Sequence, residues 1–293
     1  TFIKKYAKYL IDQGENIGIL ENDYGAVNVD MMLLKDLEGE NCELEMIAGG
    51  CDADCHRRRF RTKLIAMGMC GYDRVIVEPS GIYDVDEFFD VLRDDPIDRW
   101  YEIGNVITVV DAKLEEKLSD EADYLLASEA ANAGCIVLSR SQEASEKEIE
   151  NTVSHLNAAM EKVQCKRRFK DEIVVKDWTA FDEADYETFL SCGYVPENYR
   201  KMHIEEGETF KSLYFMNLDK TTDEIIEAAK HILEDKECGR VFRVKGFLKD
   251  EAGEWLELNA THQEMRICPI PEGQEVVIVI GEELNEERIQ QYF

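Results

Sequence analysis

No run of apolar residues in this 293-residue chain approaches the roughly 18 that a membrane-crossing helix needs, so no such span is expected. Positive charge is scarce: 34 Lys and Arg face 63 Asp and Glu, a net charge of −29. A surface with that balance repels phosphate backbones and anionic lipid headgroups, which argues against nucleic acid or a membrane as partner. A disulfide framework is missing too. The nine cysteines are odd in number, scattered and mostly set among apolar residues, such as Cys135 beside Ile136-Val137-Leu138. That is reduced, cytoplasmic usage. No signal peptide, internal repeat or low-complexity segment is visible, and the chain opens at Thr1-Phe2-Ile3 without an initiator Met.

What is present is strand-helix alternation. Arg74-Val75-Ile76-Val77-Glu78-Pro79-Ser80-Gly81 reads as a strand too apolar on both faces to lie on a surface, dropping at once into acid, turn former and glycine. Ligands of open parallel sheets sit outside the carboxyl ends of the strands, so Glu78 faces an expected site. Its carboxylate can address Mg²⁺ or the attacking water, and Gly81 lets a backbone N–H approach a terminal phosphate. The plain alternative is a buried strand with an ordinary strand-to-helix turn.

Around this stretch, strands are expected over Ile17–Leu20, Cys42–Ile47 (an edge), Val106–Val110 and Ile136–Leu138. Helices are expected over Thr1–Gln13, Met31–Leu37, Arg57–Met69, Val85–Leu92, Ala122–Ala133 and Glu146–Lys162. That alternation predicts a parallel α/β sheet. From Trp178 to Glu208 periodicity fades, and Pro196 and Gly207 suit a linker. Beyond it, strands at 211–216, 240–248, 255–258, 265–268 and 276–280 accompany helices at 222–233, capped by Thr221 or Thr222, and 283–292. Those elements predict a small α+β domain with an antiparallel sheet. The expected organisation is a domain over 1–177, a linker over 178–208 and a second domain over 209–293.

Three strand ends carry polar clusters: Glu21-Asn22-Asp23-Tyr24-Gly25, Glu78-Pro79-Ser80-Gly81 and Ser139-Arg140-Ser141-Gln142. Between the first two lies Gly49-Gly50-Cys51-Asp52-Ala53-Asp54-Cys55-His56. Asn22 through Val27 with Asp30 resembles the N-E-F-G-x-V-x-x-D segment of the CobW-like metal GTPases, relatives of the UreG and HypB nickel-insertion proteins. Gly50-Cys51 through Cys55 is similar to their G-C-x-C-C, and Glu78 through Gly81 to their E-[TS]-[TS]-G switch. Val109-Val110-Asp111-Ala112 and Lys245-Gly246-Phe247 resemble V-V-D-A and K-G-F. The resemblance runs, in order, over nearly the whole chain. It implies a P-loop NTPase-type parallel sheet with helices on both faces, plus a smaller C-terminal α+β domain. It also implies a slow hydrolase of GTP, or another purine triphosphate, with Mg²⁺. Hydrolysis would be coupled to delivery of a divalent transition metal such as Zn²⁺, or of a metal cofactor, to a client metalloprotein in the cytoplasm. A homodimer is compatible with it.

The chain departs from that pattern in three places. Family members carry G-x-x-G-x-G-K-T-T before the first helix, and Thr1-Phe2-Ile3 is similar to the last residue of that loop running into the helix. Thr1 is then the candidate Mg²⁺ ligand, with the loop and its strand expected upstream; without them buried strands lose on the order of tens of kcal/mol of burial. The base-reading N-K-x-D is replaced by Ser139-Arg140-Ser141-Gln142. Gln142 is neutral and offers a donor as well as an acceptor, so guanine selectivity should weaken, while Arg140 can still stack on a purine. Asn22, Ser139, Arg140 and Gln142, with Thr1, are the candidate nucleotide contacts. In the metal motif, thiolates four residues apart with an adjacent imidazole still suit Zn²⁺ or a similar ion. The candidate ligands are Cys51, Cys55 and either His56 or Asp23.

The remaining cysteines (Cys42, Cys70, Cys135, Cys165, Cys192, Cys238 and Cys268) are expected as packing residues. His155, His203, His231 and His262 have no clustered partner and are expected at the surface or at caps. Arg57-Arg58-Arg59 with Arg61 forms the one basic run, able to meet phosphate or the acidic remainder of the protein. The altered loops also admit a rival of another class, a non-hydrolysing scaffold or assembly factor that acts by binding a client protein.

Overall fold

Phe2, Tyr6 and Leu10 recur every fourth residue, and α1 (Phe2–Asp12) forms with those three side chains buried along one stripe. The structure, a computed structural model, describes residues 2–23, 29–48, 53–79, 85–170, 172–202, 210–250, 252–271 and 273–293. They divide into two compact units, one of Thr1–Leu20, Leu37–Glu45 and Asp54–Ile204, the other of Glu21–Asp36, Met46–Ala53 and Glu205–Phe293. After α1 come β1 (Ile17–Asp23), α2 (Val29–Leu34), β2 (Cys42–Ala48), α3 (Ala53–Gly68), β3 (Arg74–Pro79) and α4 (Val85–Leu92). The three strands form a sheet in the order β2-β1-β3, which leaves β2 at an edge as its weak alternation suggests. Ile17, Ile19 and Leu20 of the central strand are fully buried.

Next follow β4 (Ile107–Asp111), α5 (Asp120–Ala131), β5 (Cys135–Ser139), α6 (Glu146–Lys162) and the two-residue β6 (Ile173–Val174). These strands run parallel in the order β4-β5-β6. Cys135 through Leu138 are buried on both faces, as a central parallel strand requires. Close approach of the chain at the start of β5 depends on Gly134, where an added Cβ would collide with the backbone oxygens of Cys192 and Gly193. Ser119 and Ser145 cap α5 and α6, the second through a full capping box with Glu148.

The expectation of a fully buried strand at Val75–Val77 does not hold. Those residues are half-buried, and Val109 of β4 is 43% exposed. The reason is topological: β3 and β4 are each the last strand of their sheet, so among the described residues each has an edge without a neighbour.

The stretch expected as a linker begins with folded structure. It contains α7 (Glu183–Ser191), opened by a capping box in which Asp182 accepts from the Ala184 and Asp185 backbone and Asp185 accepts from Asp182. Phe189 is fully buried, its ring edge-on to Phe2 at 5.2 Å and to Phe181 at 5.2 Å. Tyr186 stacks on Tyr9 at 4.4 Å, and Asn105 Nδ2 donates to both the Phe189 carbonyl and Tyr6 Oη. Aromatic packing on α1 thus replaces the length that an amphipathic signal needs. Residues 203–208 of that stretch lie outside the described residues.

The second unit holds β7 (Phe210–Met216), α8 (Thr222–Glu234), β8 (Arg240–Lys249), β9 (Trp255–Thr261), β10 (Met265–Ile270), β11 (Val276–Glu282) and a short α9 (Glu286–Gln290). The five strands pair antiparallel in the order β10-β9-β8-β11-β7. Thr221 caps α8 in a capping box with Glu224, and α8 lays Ile225, Ala229 and Ile232 on Val244, Leu258 and Val277 of the sheet. Among the described residues, no helix is long and apolar enough to cross a membrane.

Where α5 meets α6, the Asp123 carboxylate is buried and accepts from Lys162 Nζ at 2.5 Å, with His155 Nε2 at 2.6 Å. His155, expected without a partner, has this one because the helices face each other in the fold and not in the sequence. Burial raises the Asp123 pKa, but Lys162 and His155 outweigh it and hold the carboxyl below its ordinary range. The carboxylate's contribution is therefore complete above the unfolded value near ~3.9 and lost as pH falls through the lower folded value.

Two stability measurements follow. In urea titrations Phe189→Ala should cost about 3–5 kcal/mol, the usual range for a buried Phe; a loss below about 1 kcal/mol would mean that α7 is not docked. Asp123→Asn should cost about 1–3 kcal/mol at neutral pH and flatten the loss of stability below about pH 4, whereas an unchanged acid slope would exclude the ion pair.

Candidate functional site

The register of β4 on β5 sets Asp111 opposite Ser139, both at the carboxyl ends of parallel strands. Ala112 N–H donates to the Ser139 carbonyl at 2.9 Å and Ser139 Oγ donates to the Val110 carbonyl at 3.4 Å, so the two chains leave the ladder tied together. Thr152 of α6 then donates to the Ala112 carbonyl at 2.9 Å and accepts from Leu114 N–H at 3.2 Å. Trp178 Nε1 donates to the Leu138 carbonyl at 3.0 Å and braces the end of β5.

Past Ser139 the chain reverses through Arg140, whose backbone is left-handed (φ 59, ψ 23), into a 3-10 turn over Ser141–Glu143. Asp111 divides its oxygens: Oδ1 accepts from Lys113 N–H at 2.9 Å and Oδ2 from Arg140 Nη1 at 2.8 Å. Arg140 Nε reaches Glu143 Oε2 at 3.4 Å, and the exposed Gln142 turns its amide N–H onto Glu143 Oε1 at 3.2 Å. Ser141 is buried, and its Oγ has no hydrogen-bond partner among the described residues. The result is a rim of alternating charge: Asp111, Arg140, then Glu143.

Of the residues expected from the sequence, Ser139, Arg140 and Gln142 are brought together here. Sequence reasoning missed Glu143, whose signal was its place three residues after Arg140, one turn of a 3-10 helix away. Glu78 stands exposed at the carboxyl end of β3. Thr1, Cys51 and Gly81, and the side chains of Asn22 and Asp23, lie outside the described residues.

Cys55 and His56 open α3, the first half-buried and the second fully buried. Neighbours on a helix leave the axis about 100° apart, so the two side chains do not converge on one point. Burial, and then the charge of Arg59, lowers the His56 pKa and keeps the ring neutral. Among the described residues, no three His, Cys, Asp or Glu side chains are grouped to hold a metal ion. Arg61 of the basic run donates to the Asp95 carbonyl at 2.6 Å and lies 3.7 Å from Asp94, meeting the protein's own acids.

Of the cysteines expected in packing roles, Cys42, Cys135, Cys165 and Cys238 are buried, whereas Cys70 and Cys268 are exposed at a helix end and on the edge strand β10. Burial pushes the Cys135 thiol up to about 12 and Cys238 to about 11, which makes both inert as nucleophiles. A cavity of about 470 Å³ lies where α5 begins and α6 ends, lined by Asp120, Asp123, Tyr124, Lys162 and Arg200, and shares no residue with the strand-end site.

Comparison with known proteins adds the following. The sequence model described as the CobW/HypB/UreG nucleotide-binding domain matches residues 1–170. Among solved structures, the chain is similar to the Zn(II)-bound YjiA GTPase from E. coli, at 16% identity and a TM-score of 0.37, over 99% of this chain and 93% of that one. It is also similar to a Zn(II)-bound triple mutant of YjiA GTPase, at 14% identity and a TM-score of 0.36, with the same coverage of 99% and 93%. No curated protein matches.

The Asp111–Arg140 pair can be weighed on its own. Both side chains keep some solvent access, 37% and 21%, so a double-mutant cycle of Asp111→Asn and Arg140→Gln should give a coupling of about 1 kcal/mol. Strictly additive losses would show that the pair does not persist in solution.

Proposed function

The chain belongs to the CobW/HypB/UreG family, and from that premise we propose that it hydrolyses a purine nucleoside triphosphate, GTP, and couples turnover to delivery of a divalent metal to a client protein. The observation that carries the reading is the strand-end cluster of Asp111, Ser139, Arg140 and Glu143 at the point where parallel sheets take their ligands. Its rim of charged side chains suits a polar, hydrogen-bonding ligand better than an apolar one.

In this reading the residues divide their tasks. Arg140 and its neighbours hold the base. Glu78, exposed where β3 ends, orients the attacking water or a water on Mg²⁺, and Gly81 admits a backbone N–H to the terminal phosphate. Bound Mg²⁺ would neutralise charge on the phosphates. Thr1, which the family resemblance makes the last residue of the phosphate loop, is the hydroxyl assigned to that ion. The cargo, a Zn²⁺-like ion, is a substrate of the cycle, taken up through Cys51 and Cys55 with Asp23 or His56. Since the segment between the two switch motifs contains Cys51 and Cys55, loss of the γ-phosphate can change affinity for the cargo.

Calorimetric titration of the full-length protein with Mg·GTP and Mg·ATP, with and without one equivalent of Zn²⁺, tests both halves. Nucleotide binding whose affinity shifts with Zn²⁺, together with phosphate release falling about 100-fold in Glu78→Ala, supports the coupled cycle. Binding without release above that variant would assign the protein to the non-hydrolysing scaffolds. Zn²⁺ affinity unaltered in the double Cys51→Ser, Cys55→Ser variant would remove the cargo assignment.

A further inference from the structure

We propose that the cavity where α5 begins and α6 ends is a ligand site of its own, and that it takes a small organic oxyanion: a carboxylate or phosphate monoester on an apolar body. At about 470 Å³ it falls within the ~300–1,000 Å³ range of small-molecule sites. Its charge is the reverse of the chain's. Acids outnumber bases 63 to 34 overall, whereas among the described residues around the cavity three cations, Lys162, Arg200 and Lys201, face two carboxylates, Asp120 and Asp123. Lys162 already engages both carboxylates, at 3.2 and 2.5 Å, and His155 engages Asp123 as well. A cationic ligand would have to compete with Lys162 for them. Arg200 is placed differently. Its backbone N–H donates to the Val163 carbonyl at 2.7 Å, while its guanidinium forms no hydrogen bond or ion pair among the described residues.

A guanidinium offers two parallel N–H bonds in a planar fork, the geometry that carboxylate and phosphate both accept. Lys162 has three N–H donors and spends two of them on Asp123 and Asp120, so the third can meet an anion in the cavity. Hydrogen bonds to Asp123, and then to Asp120, raise its pKa, so it remains an ammonium through the neutral range. The segment that contains Arg200 is anchored on both sides. Tyr199 sets its ring 6.2 Å from that of Tyr124, and Lys201 Nζ lies 4.7 Å over the Tyr199 ring and donates to its hydroxyl at 3.3 Å. Tyr124 and Val163, both buried, and the exposed Met202 add apolar surface that a bare inorganic ion would leave uncovered. Elsewhere the acidic surface repels a small anion; here a local excess of positive charge receives it.

The test is calorimetric titration of the full-length protein with benzoate, phenyl phosphate, inorganic phosphate and benzylamine, repeated in saturating Mg·GTP. Benzoate or phenyl phosphate should bind with a Kd below about 1 mM, and inorganic phosphate about tenfold more weakly, for want of an apolar body. Which of the two organic anions binds tells a carboxylate ligand from a phosphate ester. Arg200→Ala should weaken binding by about tenfold, and Arg200→Lys, which restores the charge without the fork, should recover only part. Arg200 is exposed, so its removal leaves the fold intact. The methyl resonance of Met202, identified by its loss in Met202→Ala, should shift as the anion binds. Mg·GTP should alter the affinity by less than about twofold, since the cavity shares no residue with the strand-end loop. The assignment is overturned if neither organic anion binds, if inorganic phosphate binds as well as they do, or if benzylamine binds in their place. Affinity unchanged in Arg200→Ala, a stationary Met202 resonance, or displacement by Mg·GTP would overturn it too. A protein that binds the anion but no nucleotide would lose the proposed function and keep this site.

Discussion

Parallel pairing of β4 with β5 obliges the chain to leave both strands at the same end and to return between them through a crossover long enough to hold α5. The features of the strand-end site follow from that. With Ile107 opposite Cys135, the register runs without a slip to Asp111 opposite Ser139, so the acid of one strand end and the turn of the next arrive side by side. A shift of one residue would point Asp111 to the other face. The turn needs a left-handed residue, and Arg140 adopts that conformation where its guanidinium can satisfy Asp111. The cost of placing a non-glycine there is offset by a charge-assisted hydrogen bond that glycine could not make.

Charge in this protein is organised the same way, by local answers to a global excess of acid. Two carboxylates that sit where elements meet each have a cation beside them: Asp123 with Lys162 between α5 and α6, and Asp235 with Arg288 between α8 and α9. Hydrogen bonds from Tyr292, the Glu237 backbone and Arg288 hold Asp235 down to about 2, so that junction stays ionised. The solvated acid at the surface sets a repulsive field for any approaching anion. A triphosphate must overcome that field with local cations and a bound metal. Anionic polymers, which would meet it along their whole length, are disfavoured far more strongly.

Most of the fold was legible because β-branched runs and 3.6-residue periods are strong local signals. The expected spans for Val85–Leu92 and Glu146–Lys162 match α4 and α6 to the residue. The legible part ended where structure depends on non-local packing. The helix α7 has nine residues and one fully buried side chain, Phe189, so its apolar period is too short to read; its Asp182–Asp185 capping box was there to be read. The half-burial of Val75–Val77 and the pairing of His155 with Asp123 depend on which element lies alongside, and no window of sequence contains that. At the candidate site, residue types pointed to the loop after β5. They could not show that the amide of Gln142 would be turned inward onto its neighbour, because two adjacent side chains in a 3-10 turn can diverge or meet with equal ease in the sequence.

The cysteine segment shows the same limit from the other side. Spacing alone makes Cys55 and His56 look like a ready pair of ligands, yet the helix that contains them separates the two directions and sends the imidazole into the interior. For both to reach one ion, the first turn of α3 would have to unwind and the ring would have to leave its buried position. Cys55, half-buried, needs neither step. A helix start therefore favours Cys55 joining ligands from outside α3 over Cys55 joining its own neighbour.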